Sequence, residues 1–253
     1  MVMEDPRQRP GLPRLLVVDT LEHLASQAAL EVQVRSKAAI EQSGRFTLVL
    51  SGGSTPVAMM RLLATPEYSQ RIDWSRTHIF WSDERCVPPQ DADSNFHAAH
   101  TALLSHVAVP REQTHRMQGE LEPPEAASDY DRLLQRFFDG PTRFDLTFLG
   151  LGPDGHTASL FPGTKALAVS DADCVANQVE KVVSPWRLTL TYRALNASSA
   201  VIFLVQGSEK ADIVARVLES PLNAELPAQA IAPQGSLTWL LDAAAAAKLE
   251  RRN

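Results

Sequence analysis

Residues 46–56 read Phe46-Thr47-Leu48-Val49-Leu50-Ser51-Gly52-Gly53-Ser54-Thr55-Pro56. The first five are apolar or β-branched without a break, as in a strand buried on both faces. Two glycines then permit a tight turn. Thr55-Pro56 reads as a helix opening, with a hydroxyl to cap the first free N–H groups and a proline that has no N–H to leave unpaired. Met59, Met60, Leu62 and Leu63 give that helix apolar mass. A strand that turns directly into a helix is half of a βαβ unit, and it predicts a parallel sheet.

The same alternation runs outward in both directions. Leu15–Val18 is a short strand, and Leu21, Leu24, Ala28, Val32 and Ala39 recur at helical spacing up to Ser43-Gly44, a helix end. Thr77–Ser82 is a further strand, after which Ser94 caps a helix carrying Phe96, Leu103 and Leu104. A helix over 125–138 leads into a strand at Phe144–Leu149. Arg187–Thr191 alternates like a strand, and Ala200–Val205 is a continuous apolar run ending in Gly207. Ser208 caps a helix bearing Ile213, Val214, Val217 and Leu218. Leu237–Leu241 and an alanine-rich final helix complete the series. The pattern predicts an α/β fold of Rossmann-like type: an open, mainly parallel sheet with helices on both faces. Residues 14–253 read as one domain, and 1–13, polar and holding Pro6, Pro10 and Pro13, as a flexible tail.

Composition excludes several classes. No run of about 18 apolar residues is present to span a bilayer. The net charge of −6 argues against nucleic acid as a partner. Two cysteines, Cys86 and Cys174, fit a reducing cytoplasm better than a disulfide framework. A small anion remains open as a ligand, since helix N-termini and a few local cations bind one whatever the global sign.

Four segments each follow a predicted strand directly and so share the carboxyl edge of a parallel sheet, where ligands bind. Ser51–Pro56 offers bare backbone N–H groups and the hydroxyls of Ser54 and Thr55 to an anion; a plain capped helix is the other reading. It is neither a Walker A motif nor a dinucleotide fingerprint. Asp83-Glu84-Arg85 places a planar guanidinium there, either for an anion or for an internal salt bridge. Gly207–Lys210 puts a cation in the first turn of a helix, where it is unfavourable unless an anion offsets it. The fourth segment, Gly150-Leu151-Gly152-Pro153-Asp154-Gly155-His156-Thr157-Ala158-Ser159-Leu160-Phe161-Pro162-Gly163, sets Asp154 and His156 among glycines. A helix opening at Asp154 or Thr157 would favour the neutral imidazole, a general base toward water. A loop histidine bonded to backbone is the competing account. His97 and His100, at i and i+3, read as a surface helix face before a metal site.

These segments, in order from about Leu15 to the C-terminus and joined by Val87-Pro88, Ser94-Asn95, Arg187–Thr191 and Gly207-Ser208-Glu209-Lys210-Ala211, resemble the 6-phosphogluconolactonases. Asp154–Gly163 is the most specific piece. The resemblance implies hydrolysis of 6-phospho-D-glucono-1,5-lactone in the oxidative pentose phosphate pathway, without metal or cofactor, by a monomer whose fold is related to glucosamine-6-phosphate deaminase and ribose-5-phosphate isomerase. It implies His156 as the base with Asp154 beside it. Gly52, Gly53, Ser54, Thr55, Asp83, Arg85, Arg187 and Lys210 are then the expected substrate and phosphate contacts. The deaminases share the glycine loop and the Asp-Gly-His core but carry a glutamate where this chain has Phe161. A sugar-phosphate-sensing domain of a regulator would need a DNA-binding module, for which 1–13 is too short.

Overall fold

Every residue of Phe46–Leu50 and of Ala200–Val205 is buried, as their unbroken apolar runs require. The computed structural model describes residues 13–180 and 184–250; the expected N-terminal tail therefore lies, save Pro13, outside the described residues. Among the described residues nine strands form: β1 (Arg14–Val18), β2 (Phe46–Leu50), β3 (Thr77–Trp81), β4 (Asp83–Arg85), β5 (Leu146–Leu149), β6 (Cys174–Gln178), β7 (Trp186–Leu190), β8 (Ala200–Val205) and β9 (Ser236–Asp242). Six of them make one wholly parallel sheet in the order β1-β9-β8-β5-β2-β3. The helices are α1 (Leu21–Ser43), α2 (Ser54–Leu63), α3 (Pro66–Ser69), α4 (Asn95–Ala99), α5 (Pro123–Phe138), α6 (Tyr192–Asn196) and α7 (Ala211–Glu219).

Alternate strand residues feed opposite layers. Leu48, Leu50, Ile202 and Leu204 pack with α1 and α2, while Val49, Val201, Phe203 and Val205 pack with α5 and α7. Helices thus cover both faces, as the pattern predicts. The ends of α1 are as read: the Thr20 hydroxyl accepts from the His23 N–H at 3.3 Å, and Gly44, at φ 79°, closes it.

Three readings are corrected. Asp83-Glu84-Arg85 is not merely a segment following β3 at the edge of the parallel sheet but a strand of its own, β4, in a separate antiparallel sheet of order β4-β7-β6. Arg187–Thr191 belongs to that sheet too, as β7. The alanine-rich C-terminus turns over 243–248 without becoming a helix. Asp242 accepts from the Ala245 N–H at 2.7 Å, and Ala245, Ala246 and Leu249 are buried in the core, so tertiary packing overrides alanine's helix preference.

At the β3 edge His78 Nδ1 and His115 Nε2 lie 3.1 Å apart, and the His115 ring stacks on Phe80. Burial, with the neighbouring His78 charge second, pushes His115 down to about 4; burial and then Arg45 lower His78. The unfolded chain, with His near 6.5, therefore binds more protons than the folded one between about pH 6.5 and about pH 4. Stability contributed by the neutral pair is present above that window and lost as pH falls through it. The melting temperature should drop across the window and drop less in His115→Phe; an identical acid limb would refute the assignment.

Candidate active site

The chain order reverses between β2 and β5, which are neighbours in the sheet, and the loops after β2, β5 and β8 emerge side by side at that point. Such a switch point is where open α/β sheets leave a crevice. Here the crevice holds about 420 Å³, within the range of small-ligand pockets.

The β2 loop supplies its floor. α2 starts at Ser54 with Gly53, at φ 102°, as its N-cap and no side-chain hydrogen bond there. Thr55 is therefore not the cap, as the sequence suggests, but a buried first-turn residue. Without a capping side chain, the first N–H groups of α2 remain available to an anion. Gly52 is needed for close approach: a Cβ there would stand 2.0 Å from Asn95 Oδ1. Asn95 in turn donates to the Asp83 carbonyl at 2.9 Å, tying this loop to β4.

The β4–β7 ladder brings Arg85 directly opposite Arg187. Arg85 donates to the Asp93 carbonyl, and Arg187 to the carbonyls of Ser184 and Trp186. Among the described residues neither guanidinium is salt-bridged to a carboxylate, so the internal salt bridge is not what forms. Burial, and then the charge of Arg85, lowers Arg187 from its usual value. Like charges opposite each other destabilise a sheet, and an anion between them reverses the sign. Glu84 points elsewhere. It accepts from the backbone N–H groups of Arg85, Asn95 and Phe96 and from the Ser94 hydroxyl, fastening β4 to the start of α4. Its burial raises it from the usual carboxylate value, against the pull of these donors.

Asp83 lines the pocket, but its oxygens are already engaged, accepting from Ser82 Oγ at 3.0 Å and Ser159 Oγ at 2.7 Å. It joins the small sheet to the β5 loop. Ser159 lies in the quoted Gly150–Gly163 segment, but this role has no local signal, since its partner is 76 positions away.

In that loop Asp154 Oδ1 meets His156 Nδ1 at 2.5 Å and also accepts from the His156 N–H at 3.1 Å. Burial disfavours the Asp154 charge, but the hydrogen bond and charge of His156 outweigh it and hold the carboxyl below the usual range. No helix opens at Asp154 or Thr157; the segment closes on itself, with the Gly152 N–H bonded to the His156 carbonyl at 2.8 Å and the Thr157 hydroxyl to the Gly150 carbonyl at 2.8 Å. The carboxylate, and not a helix terminus, orients the ring. With Nδ1 so occupied, Nε2 is the nitrogen left for a reacting molecule. His156 lines the crevice; Asp154 is not on its wall and supports the ring. Phe161 lines it as well, against the imidazole.

After β8, Gly207 takes φ 96° and caps a single 3₁₀ turn, Ser208–Lys210, before α7; Ser208, read as the cap, is not. Both carboxylate oxygens of Asp242, at the end of β9, accept from the Gly207 N–H at 3.1 Å, a support with no sequence signal. Lys210 Nζ lies in the crevice and donates to the Leu151 carbonyl at 2.8 Å. The structure thus gathers Gly52, Gly53, Ser54, Thr55, Asp83, Arg85, His156, Arg187 and Lys210 around one cavity. His97 and His100 lie outside it, and among the described residues no group of three or more His, Cys, Asp or Glu could hold a metal ion.

Comparison with known proteins gives the family and the fold. Residues 19–239 match the family described as glucosamine-6-phosphate isomerases/6-phosphogluconolactonase. A 6-phosphogluconolactonase of Nostoc sp. is 42% identical over 242 residues, covering 91% of this chain and 98% of that protein. The crystal structure of 6-phosphogluconolactonase from Thermotoga maritima superimposes with a TM-score of 0.79 at 27% identity, covering 91% of this chain and all of that one. A monomeric glucosamine-6-phosphate deaminase reaches a TM-score of 0.80 at 20% identity, over 93% of this chain and 99% of that one, which is likeness of fold alone.

Proposed function

Since the chain belongs to the glucosamine-6-phosphate isomerase/6-phosphogluconolactonase family, we propose that it is a 6-phosphogluconolactonase, hydrolysing 6-phospho-D-glucono-1,5-lactone to 6-phospho-D-gluconate with His156 as general base. The observation that carries the choice is the Asp154–His156 pair, 2.5 Å apart, with Phe161 and not a carboxylate against the face of the ring, set at a crevice that also holds Arg85, Arg187 and Lys210.

A δ-lactone carbonyl is already electrophilic, so the protein has to supply a base, a fixed orientation and compensation for negative charge. Asp154 accepts the Nδ1 proton and leaves Nε2 as the base. Water adds to the lactone carbonyl carbon while its proton passes to Nε2, giving a tetrahedral oxyanion and an imidazolium that the Asp154 charge stabilises. When the bond from that carbon to the ring oxygen breaks, Nε2 returns the proton to the departing alkoxide. One proton moves out and back, and the net addition is one water. The phosphate is the natural occupant of the cationic side of the crevice, formed by Arg85, Arg187, Lys210 and the open N-terminus of α2.

The deaminase reading needs a carboxylate where Phe161 stands. The discriminating experiment is a coupled assay with freshly generated 6-phosphogluconolactone beside glucosamine 6-phosphate. The expected result is lactone opening well above the spontaneous rate and no ammonia from the amino sugar. Ammonia release, or a lactone rate equal to the blank, would overturn the proposal.

A further inference from the structure

A single hydrogen bond at Nδ1 fixes one edge of an imidazole and leaves the plane free to swing about that bond. The remaining freedom of His156 is removed by its neighbours. Phe161 lies against the ring with centroids 4.0 Å apart and planes inclined by 26°. On the Nδ1–Cε1 side Gly152 comes so close that a Cβ would stand 2.0 Å from both atoms. Asp154, Gly152 and Phe161 together leave the imidazole one orientation, although it sits in a loop with 24% of its side chain exposed.

We propose that Phe161 is a positioning residue for the hydrolytic base, its aromatic face holding the His156 plane and favouring the cation that this ring becomes during turnover. The inference rests on the reading of His156 as the base. Three physical points support it. An aromatic pair in contact is worth more than the area it buries, and that surplus depends on the flat π face. The face carries negative quadrupole density, which attracts a cation within about 6 Å of the centroid. The positive charge on His156 exists only after it has taken the proton from water, so the attraction acts on the transition state more than on the resting enzyme. Phe161 thereby joins Asp154 in compensating that charge, one from the face and one from the edge. Leucine would fill similar space with no π face, whereas tyrosine would preserve it.

The test compares Phe161→Leu, Phe161→Ala and Phe161→Tyr in the full chain, with kcat and KM from the coupled lactone assay and imidazole ¹⁵N–¹H NMR of His156. Phe161→Leu and Phe161→Ala should lower kcat by about 10- to 100-fold with KM changed less than about threefold, while Phe161→Tyr stays within about threefold of the parent. The His156 Nδ1–H resonance should be sharp in the parent and in Phe161→Tyr, and broadened by exchange in Phe161→Leu. In a His156→Gln background the Leu substitution should add no further loss. Full activity in Phe161→Leu, a rise in KM alone, no rescue by tyrosine, or an unaltered Nδ1–H resonance in Phe161→Leu would each overturn the proposal. If Phe161→Ala does not fold, the Leu–Tyr comparison still decides. Failure of the parent reading has a different signature: His156→Gln would retain its rate, whatever the NMR of the Phe161 variants.

Discussion

His156→Ala should lose about 10³-fold in kcat above the spontaneous hydrolysis of the lactone, with the affinity for 6-phosphogluconate nearly unchanged. Removal of a positioned general base generally costs 10²–10⁴-fold, and the upper half of that range suits a base oriented from one edge by Asp154 and from one face by Phe161. The binding groups lie on other loops, so calorimetric titration with the product should report an almost unaltered dissociation constant. Stopped-flow lactone decay, corrected for the blank, supplies the rate. Retained turnover would remove His156 from the mechanism. Loss of binding together with rate would instead make it a ligand contact.

Arg187→Ala should raise KM for the phosphorylated lactone by about 10- to 100-fold, the range expected when one charge-assisted hydrogen bond to a dianion is removed. Arg187 is only 9% exposed and faces a second guanidinium across the β4–β7 ladder. A cation so placed repels its neighbour unless an anion lies between them, and its carbonyl acceptors leave other donors of the guanidinium free. Arg85→Ala should act in the same direction but less, because Arg85 is less buried. Gluconolactone without phosphate is the control. Its kinetics should change by less than about threefold, and equal changes with both substrates would refute phosphate reading by this pair.

The parts legible in the sequence are those whose signal is local. β2 and β8 announce themselves because burial on both faces demands an apolar run. Glycines mark the loops because Gly53, Gly155 and Gly207 take φ values of 102°, 84° and 96°, which a Cβ disfavours. Asp154 and His156 stand out by sitting among such glycines. What was illegible depends on distant partners. β4 is three charged residues, a strand only because β7 pairs with it about 100 positions later, and β6 has a sequence, Cys174-Val175-Ala176-Asn177-Gln178, with no strong period. Asn95, Ser159 and Asp242 support the crevice by contacts whose other members lie 12, 76 and 35 positions away. The placement of Thr55 and Ser208 as caps failed for a related reason: glycine in a left-handed turn opened each helix earlier than a hydroxyl would have.

The two sheets divide the labour of the crevice in a way that bears on how such chains diversify. His156, Lys210 and the glycine loop hang from the parallel sheet, whereas Arg85 and Arg187 sit on the antiparallel one. Side chains that join the frames include Asp83 with Ser159, Asn95 with the Asp83 carbonyl and Thr189 with the Ser159 N–H. Substitutions at Arg85 or Arg187, whose side chains take no part in that joining, would redraw the charge map of the crevice and leave the contacts of the His156 ring in place. Engineering of new ligand preferences has its natural starting point at that arginine pair.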